Sequence, residues 1–267
     1  MKVDSFLIFG SDKKMIACRD RLRERDFRAD VFDKESIIDN IKCYNYLILP
    51  LPTIANSKIN GTSISLTELI SELDENQKVF CGNLKTDLYK NFYSYYYDES
   101  FLINNSRLTA QGVLRLITEN IEKDYKNSKV LVIGYGRCGK AVCKLLKSCG
   151  MQTTSVSRRR ETKTLAENDG ILVEDLNNLN QIISDFDIII NTVPVNIINR
   201  EGISKLSQKN IYIEIASKPY GFDISEYDVF NFKYILGESL PGRFTPVTAG
   251  YNIADTVLNI LKEEEYG

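Results

Sequence analysis

Three glycines, at positions 134, 136 and 139, are the residues whose spacing points most directly to chemistry. They form G-x-G-x-x-G inside VLVIGYGRCGKAVCKLLKSCG (130–150), straight after four apolar strand-forming residues and straight before a helical pattern. In that context the first glycine permits a tight turn, the second lets backbone approach a pyrophosphate, and the third lets helix and strand pack closely. The phosphates would then lie at a helix N-terminus, against free N–H groups and the positive end of the dipole. Gly134, Tyr135, Gly136, Arg137, Cys138 and Gly139 are the candidate cofactor contacts. The alternative is a glycine-rich turn that binds nothing, which the flanking strand and helix argue against.

A site of this type that prefers NAD usually places an acid about 20 positions on, to hold the ribose 2′-hydroxyl. Here QTTSVS (152–157) reads as the second strand and ends in Ser157, Arg158, Arg159 and Arg160. A hydroxyl and guanidinium forks suit a 2′-phosphate, so Ser157, Arg158 and Arg159 point to NADP, with NAD possible. A solvated basic turn is the other reading of these arginines. Further along, DIIINTVP (187–194) is a buried strand stopping at its carboxyl end, which in open α/β sheets faces the ligand crevice. Asn191 and Thr192 are expected to meet the nicotinamide ribose, with Val193 beside them and Pro194 fixing the loop; a capped strand end without ligand is the alternative.

Two more segments bring charge to the same rim. The strand at 211–216 ends in Ser217, Lys218 and Pro219, delivering a hydroxyl and an ammonium. ESLPGRFTPVTAG (238–250) reads as an ordered loop because of its two prolines and Pro-Gly turn. Thr248 is expected to cap the last helix there, so that Arg243, loop N–H groups and the helix N-terminus can receive carboxylates. Either cation is equally readable as a solvated surface side chain.

The chain holds no histidine, the usual acid or base for interconverting alcohols and ketones. Proton transfer must use Lys, Tyr, Asp, Glu, Cys or water, and histidine-containing zinc sites are excluded; no metal site is expected. A net charge of −2 argues against nucleic acid as a partner. The six cysteines form no C-x-x-C pair and sit in apolar-periodic segments, as buried reduced thiols of a cytoplasmic protein would. No signal peptide or membrane span is expected, since the apolar runs are too short.

The elements that must position these residues alternate along the chain. Strands are expected at 5–9, 29–32, 46–49, 79–81 and 93–97, with helices at 13–25 and 66–73. Gly10-Ser11 reads as a plain turn and helix cap. A long helix is expected over Arg107–Lys123, capped by 104–106. Strands then recur at 130–133, 153–157, 171–173, 187–193, 211–216 and 234–236, before a last helix over Thr248–Glu264. The expected fold is therefore α/β: two Rossmann-like domains with doubly wound parallel sheets and a cleft between them. The boundaries expected are a flavodoxin/Rossmann-like substrate domain at 1–105, a linker helix at 106–127, an NAD(P)-binding domain at 128–246, and a C-terminal helix at 247–267 packing on or across the domains.

Taken together, LVIGYGRCG, INTVP, IASKP and LPGRFTPVTAG, in this order and spacing, resemble the dipicolinate synthase A chain family. The resemblance extends to the first domain through ILPLP (48–52) and NNSRLTAQG (104–112). Family members usually carry a second glycine pair where this chain has Tyr220-Gly221, Glu where it has Gln111, and an Ala-Pro-Gly lead-in where it has Gly237-Glu238-Ser239. These departures lie on the presumed substrate side.

The resemblance implies NAD(P)-dependent oxidation of dihydrodipicolinate, derived from 4-hydroxy-tetrahydrodipicolinate, to dipicolinate during sporulation. It also implies partnership with the synthase's flavoprotein-like B chain in the mother-cell cytoplasm, with a homo-oligomer left open. Forming an aromatic ring supplies driving force, so the absence of histidine is no obstacle; the protein has to bind a dianion and hold one C–H against the nicotinamide. On that footing Lys218 or water takes the proton. Lys218, Arg243, Thr109, Thr248, Ser217 and Gly242 make up the candidate substrate cradle. Competing readings are another NADP oxidoreductase, of shikimate-dehydrogenase or imine-reductase type, and a catalytically silent NADP-binding regulatory protein.

Overall fold

Apolar strands without polar alternation, as in FLIF (6–9) and VLVI (130–133), belong in parallel sheets covered on both faces, and both stretches are buried there. The computed structural model describes residues 4–86, 89–226 and 230–266, with side chains throughout except at 38–40 and 265–266. The chain folds as two compact units, 1–105 with 241–267, and 106–240.

The first unit runs β1 (Ser5–Phe9), α1 (Lys13–Arg23), β2 (Arg28–Phe32), β3 (Tyr46–Ile48), a hairpin of β4 (Ile54–Ala55) and β5 (Lys58–Ile59), α2 (Leu66–Glu72), β6 (Lys78–Cys81), β7 (Phe92–Ser94) and the start of α3 (Glu99–Asn120). Its five-stranded sheet is parallel throughout, in the order β2-β1-β3-β6-β7. Successive residues of β1 enter opposite layers: Phe6 and Ile8 join Met15, Cys18 and Leu22 of α1, whereas Leu7 and Phe9 join Leu69 of α2.

The second unit continues with β8 (Lys129–Ile133), α4 (Arg137–Ser148), β9 (Gln152–Ser157), α5 (Arg160–Asn168), β10 (Leu172–Asp175), α6 (Leu179–Ile182), β11 (Ile188–Asn191), α7 (Arg200–Ser204), β12 (Ile211–Glu214) and β13 (Lys233–Leu236). Its six parallel strands lie in the order β10-β9-β8-β11-β12-β13, the arrangement of a dinucleotide-binding Rossmann sheet. From Pro241 onward α8 (Leu240–Phe244) and α9 (Pro246–Tyr266) belong to the first unit.

Three elements differ from expectation. The aromatic run 93–97 is not one strand: β7 ends at Ser94, and Tyr95–Tyr97 turn into a 3₁₀ helix. Tyr95 is fully buried there, its hydroxyl donating to the Leu49 carbonyl at 2.9 Å, an attachment that the strand pleat would not provide. The long helix begins at Glu99 rather than Arg107, because Asp98 accepts from the Phe101 N–H at 2.8 Å and caps it early. The segment 238–250 is largely helical rather than a loop, since a proline is tolerated in a first helical turn and Pro241 and Pro246 both stand there. Thr248 consequently lies inside α9 and does not cap it.

The last helix closes the first unit's core. Ile253, Ala254, Val257 and Leu261 of α9 pack with Met15, Cys18 and Leu22 of α1. The two helices nearly touch at Gly250, where a Cβ would collide with the Lys14 carbonyl oxygen and lie 2.7 Å from the Cys18 nitrogen. Arg21 adds a fork to Asp255, at 3.0 and 3.1 Å. Gly250→Ala should therefore lower unfolding stability by about 1–3 kcal/mol, the usual cost of overpacking. A urea midpoint equal to wild type would show that the helix pair gives way freely.

Candidate functional site

The register aligns the strand ends of the second unit on one edge. Ile133 lies opposite Val156 and Asn191, Asn191 opposite Glu214, and Glu214 opposite Leu236. The loops after β8, β9, β11, β12 and β13 thus leave from a common rim, and strand order reverses between β8 and β11, where a crevice for ligand opens in such sheets.

Each motif glycine has a separate physical reason. Gly134 takes φ +96, and a Cβ there would lie 2.6 Å from Val193 Cγ2 and 2.7 Å from Thr192 Oγ1. A Cβ at Gly139 would collide with the Gly134 carbonyl oxygen, so α4 can start this close to β8 only with hydrogen at that position. At Gly136 the opposite holds: a Cβ would meet nothing within 4 Å. Gly136 is exposed and is the N-cap of α4, and as glycine it places no side-chain cap on the helix start. A bare helix N-terminus beside an open glycine is what a pyrophosphate requires, and the residues present fit a dinucleotide.

Other candidate cofactor residues divide. Thr192 donates to the Ile133 carbonyl at 2.8 Å and, with Val193, packs on the glycine turn. Arg137 and Pro194 are exposed, and Cys138 lies 3.6 Å from the Ser106 hydroxyl. Ser157 is buried at the end of β9, whereas Arg158 and Arg159 are exposed and make no ion pair among the described residues. The Tyr135 side chain turns inward: it is buried, and its hydroxyl donates to Asp169 at 2.9 Å. Lys140 and Lys144 also reach Asp169, at 3.1 and 2.8 Å, and with the Tyr135 hydroxyl hold its carboxyl well below the ordinary range.

Asn191 is a correction. It is fully buried, its amide nitrogen donating to Glu214 Oε1 and Oε2 at 2.9 and 3.0 Å and to the Val193 carbonyl at 2.9 Å, so no part is left for a ribose. Its partner Glu214 is not among the residues singled out from the sequence, although a lone acid inside IYIEIA is a visible signal. That carboxylate also accepts from the Ala216 and Gly221 N–H groups, each at 2.9 Å. Burial pushes its pKa up, against the opposing pull of those donors. Glu214 is the clamp of the two loops: the Gly221 carbonyl in turn accepts from Ile197 and Ile198 in the loop after β11, at 2.9 and 3.0 Å. Between the clamped ends, Ser217, Lys218 and Pro219 stand exposed, beside the cis peptide Lys218–Pro219.

Of the remaining substrate candidates, Thr109 is buried on α3, within the second unit. Gly242, Arg243 and Thr248 belong to the first unit; Arg243 and Thr248 are exposed, and the Arg243 guanidinium lies 4.9 Å from the Phe244 ring centre. Among the described residues no helix is long and apolar enough to cross a membrane.

Known proteins share this architecture. Residues 102–217 match the domain family described as D-isomer specific 2-hydroxyacid dehydrogenase, NAD binding domain. The chain is similar to the dipicolinate synthase A chain of Bacillus subtilis (strain 168), at 24% identity over 230 residues, covering 81% of this chain and 77% of that protein. It superposes on the crystal structure of the dipicolinate synthase A chain from Bacillus subtilis with a TM-score of 0.85 at 21% identity, covering 100% of this chain and 98% of the other. For the dipicolinate synthase A chain from Bacillus halodurans the values are 0.85 and 20%, covering 97% of each chain. The resemblance read from the motifs therefore holds across sequence and fold, and the matched domain supports a nicotinamide nucleotide as cofactor.

Two outcomes follow from the geometry. Gly136→Ala should change stability by no more than about 1 kcal/mol, the scale of an N-cap change, yet weaken NAD(P) binding at least tenfold; calorimetric titration beside a thermal melt separates the two. Glu214→Gln presents an NH₂ to groups that are themselves donors. It should lower stability by about 1–3 kcal/mol in urea titration, and an unchanged midpoint would mean the clamp carries no weight.

Proposed function

We propose that this chain is a dipicolinate synthase A chain, oxidising dihydrodipicolinate to dipicolinate with NADP or NAD. The observation that carries the reading is the open Gly136 at the uncapped start of α4, on the edge where the Ser217–Lys218 loop also leaves the sheet. Resemblance to the named A chains over most of the sequence supports dihydrodipicolinate as the substrate. In balance, the dihydropyridine ring loses a hydride and a proton and becomes aromatic.

When bound, the nicotinamide supplies the hydride acceptor. The chain's own residues do the rest. Gly134 to Gly139, Thr192, Val193 and Pro194 would hold the nucleotide, with the start of α4 offering N–H groups to its phosphates. Lys218 binds a substrate carboxylate or takes the ring proton, with water as the alternative acceptor. Within the second unit Ser217 and Thr109 are the further candidates for the dianion, and within the first unit Gly242, Arg243 and Thr248 are. Without a histidine, this protein is suited to a reaction whose driving force is aromatisation. The exposed Arg158 and Arg159 beside Ser157 favour NADP, by offering forks to a 2′-phosphate. The family reading adds the flavoprotein-like B chain of the synthase and the mother-cell cytoplasm of a sporulating bacterium.

The test follows reduced nicotinamide by absorbance near ~340 nm together with dipicolinate formed, starting from the lysine-route intermediate, with and without the flavoprotein-like partner. Stoichiometric formation of both products is expected. Arg158→Ala should raise the Kd for NADP about tenfold and leave that for NAD unchanged, each lost charge-assisted contact costing on the order of 1.5–3 kcal/mol. No product with either cofactor overturns the reading, and an unaltered NADP affinity overturns the cofactor assignment.

A further inference from the structure

In the first unit the strand order reverses between β1 and β3, so its own ligand-facing crevice lies beyond the ends of those strands. Lys14 spans that point. It stands in the first turn of α1, just after β1, and its ammonium donates to the Leu51 carbonyl, just after β3, at 2.6 Å. An ammonium has three N–H donors, and among the described residues Leu51 is its one hydrogen-bond acceptor.

The nearest acid does not neutralise it. Asp12 caps α1, its Oδ1 accepting from the Lys14 and Met15 N–H groups at 2.8 and 2.9 Å, and among the described residues no carboxylate lies within ion-pair distance of the Lys14 ammonium. Burial lowers the Lys14 pKa, with Asp12 and Cys18 pulling the other way. A half-buried cation served by one neutral carbonyl is costly to the fold unless an anion completes it.

The C-terminal segment meets this side chain. A Cβ at Gly242 would lie 4.0 Å from Lys14 Cδ, so the chain carrying Arg243 passes directly over the lysine stem. The first unit thus covers the lysine stem with a segment from a distant part of the sequence, while the ammonium keeps its one bond to the Leu51 carbonyl.

We infer that Lys14 is a carboxylate-binding residue at the first unit's crevice, taking one carboxylate of a small dicarboxylate. This rests on the proposed function for the identity of the substrate, though not for the existence of the anion seat. A lysine tying α1 to the loop after β3 would instead matter for stability alone.

The experiment is calorimetric titration of the full chain with pyridine-2,6-dicarboxylate and with pyridine-2-carboxylate. Wild type, Lys14→Met, which keeps most of the stem, and Lys14→Arg, which keeps the charge, are compared, each checked by thermal melting. Lys14→Met should weaken dicarboxylate binding at least about tenfold, one charge-assisted contact, and reduce the preference over the monocarboxylate. Lys14→Arg should recover part of that loss, and NADP affinity should stay at the wild-type value in both. Equal dicarboxylate affinity in wild type and Lys14→Met overturns the inference, as does a wild type that binds neither acid. Turnover with unaltered Lys14→Met affinity would leave the proposed function standing and remove the lysine. Lysine-dependent binding without turnover would do the reverse.

Discussion

The contact between the first turn of α4 and the Gly134 carbonyl is the constraint on which the second unit's geometry depends. No side chain fits at Gly139, so the helix starts almost on top of the turn that leaves β8. Its first-turn N–H groups are thereby fixed at the point where strand order reverses. Thr192, bonded to the Ile133 carbonyl, closes the turn from the neighbouring strand. The positive end of a helix dipole is thus held against a rigid rim rather than on a mobile loop, an arrangement in which oriented backbone can meet an anion without reorganising.

The two units treat charge at their strand ends in opposite ways. In the second, Glu214 is buried but surrounded by donors, and its charge is used internally to join two loops. In the first, Lys14 is half-buried and has a single carbonyl. One charge is closed within the protein and the other remains open to a ligand. Exposed groups such as Lys218 and Arg158 differ from both, since solvent already satisfies them and their geometry is set only by the backbone that carries them.

What was legible in the sequence was what local rules govern. The apolar run at 130–133 followed by three spaced glycines encodes strand, turn and helix within about 20 residues, and the alternation around it encodes parallel sheets. What was not legible depended on contacts distant in sequence. Asn191 looked like a ligand residue because its partner stands 23 positions away on β12. Tyr95 leaves the strand for the Leu49 carbonyl, 46 positions back. Lys14 reads as one of two lysines opening an amphipathic helix, and only the fold sets it against Leu51. The helical character of 240–250 was hidden for a different reason, since proline and glycine are equally at home in loops and in first turns.

The order of the units along the chain has a consequence for how the protein is made. The first unit's strands are synthesised early, but α1 presents Met15, Cys18 and Leu22 to a helix that lies at the other end of the chain, with the whole second unit between them. A ribosome delivers residues at about 5–20 per second, and domains generally fold as units as they emerge. The nucleotide-binding unit, contiguous from 106 to 240, can therefore assemble while the apolar flank of α1 still waits for α9. The unit that is begun first is completed last.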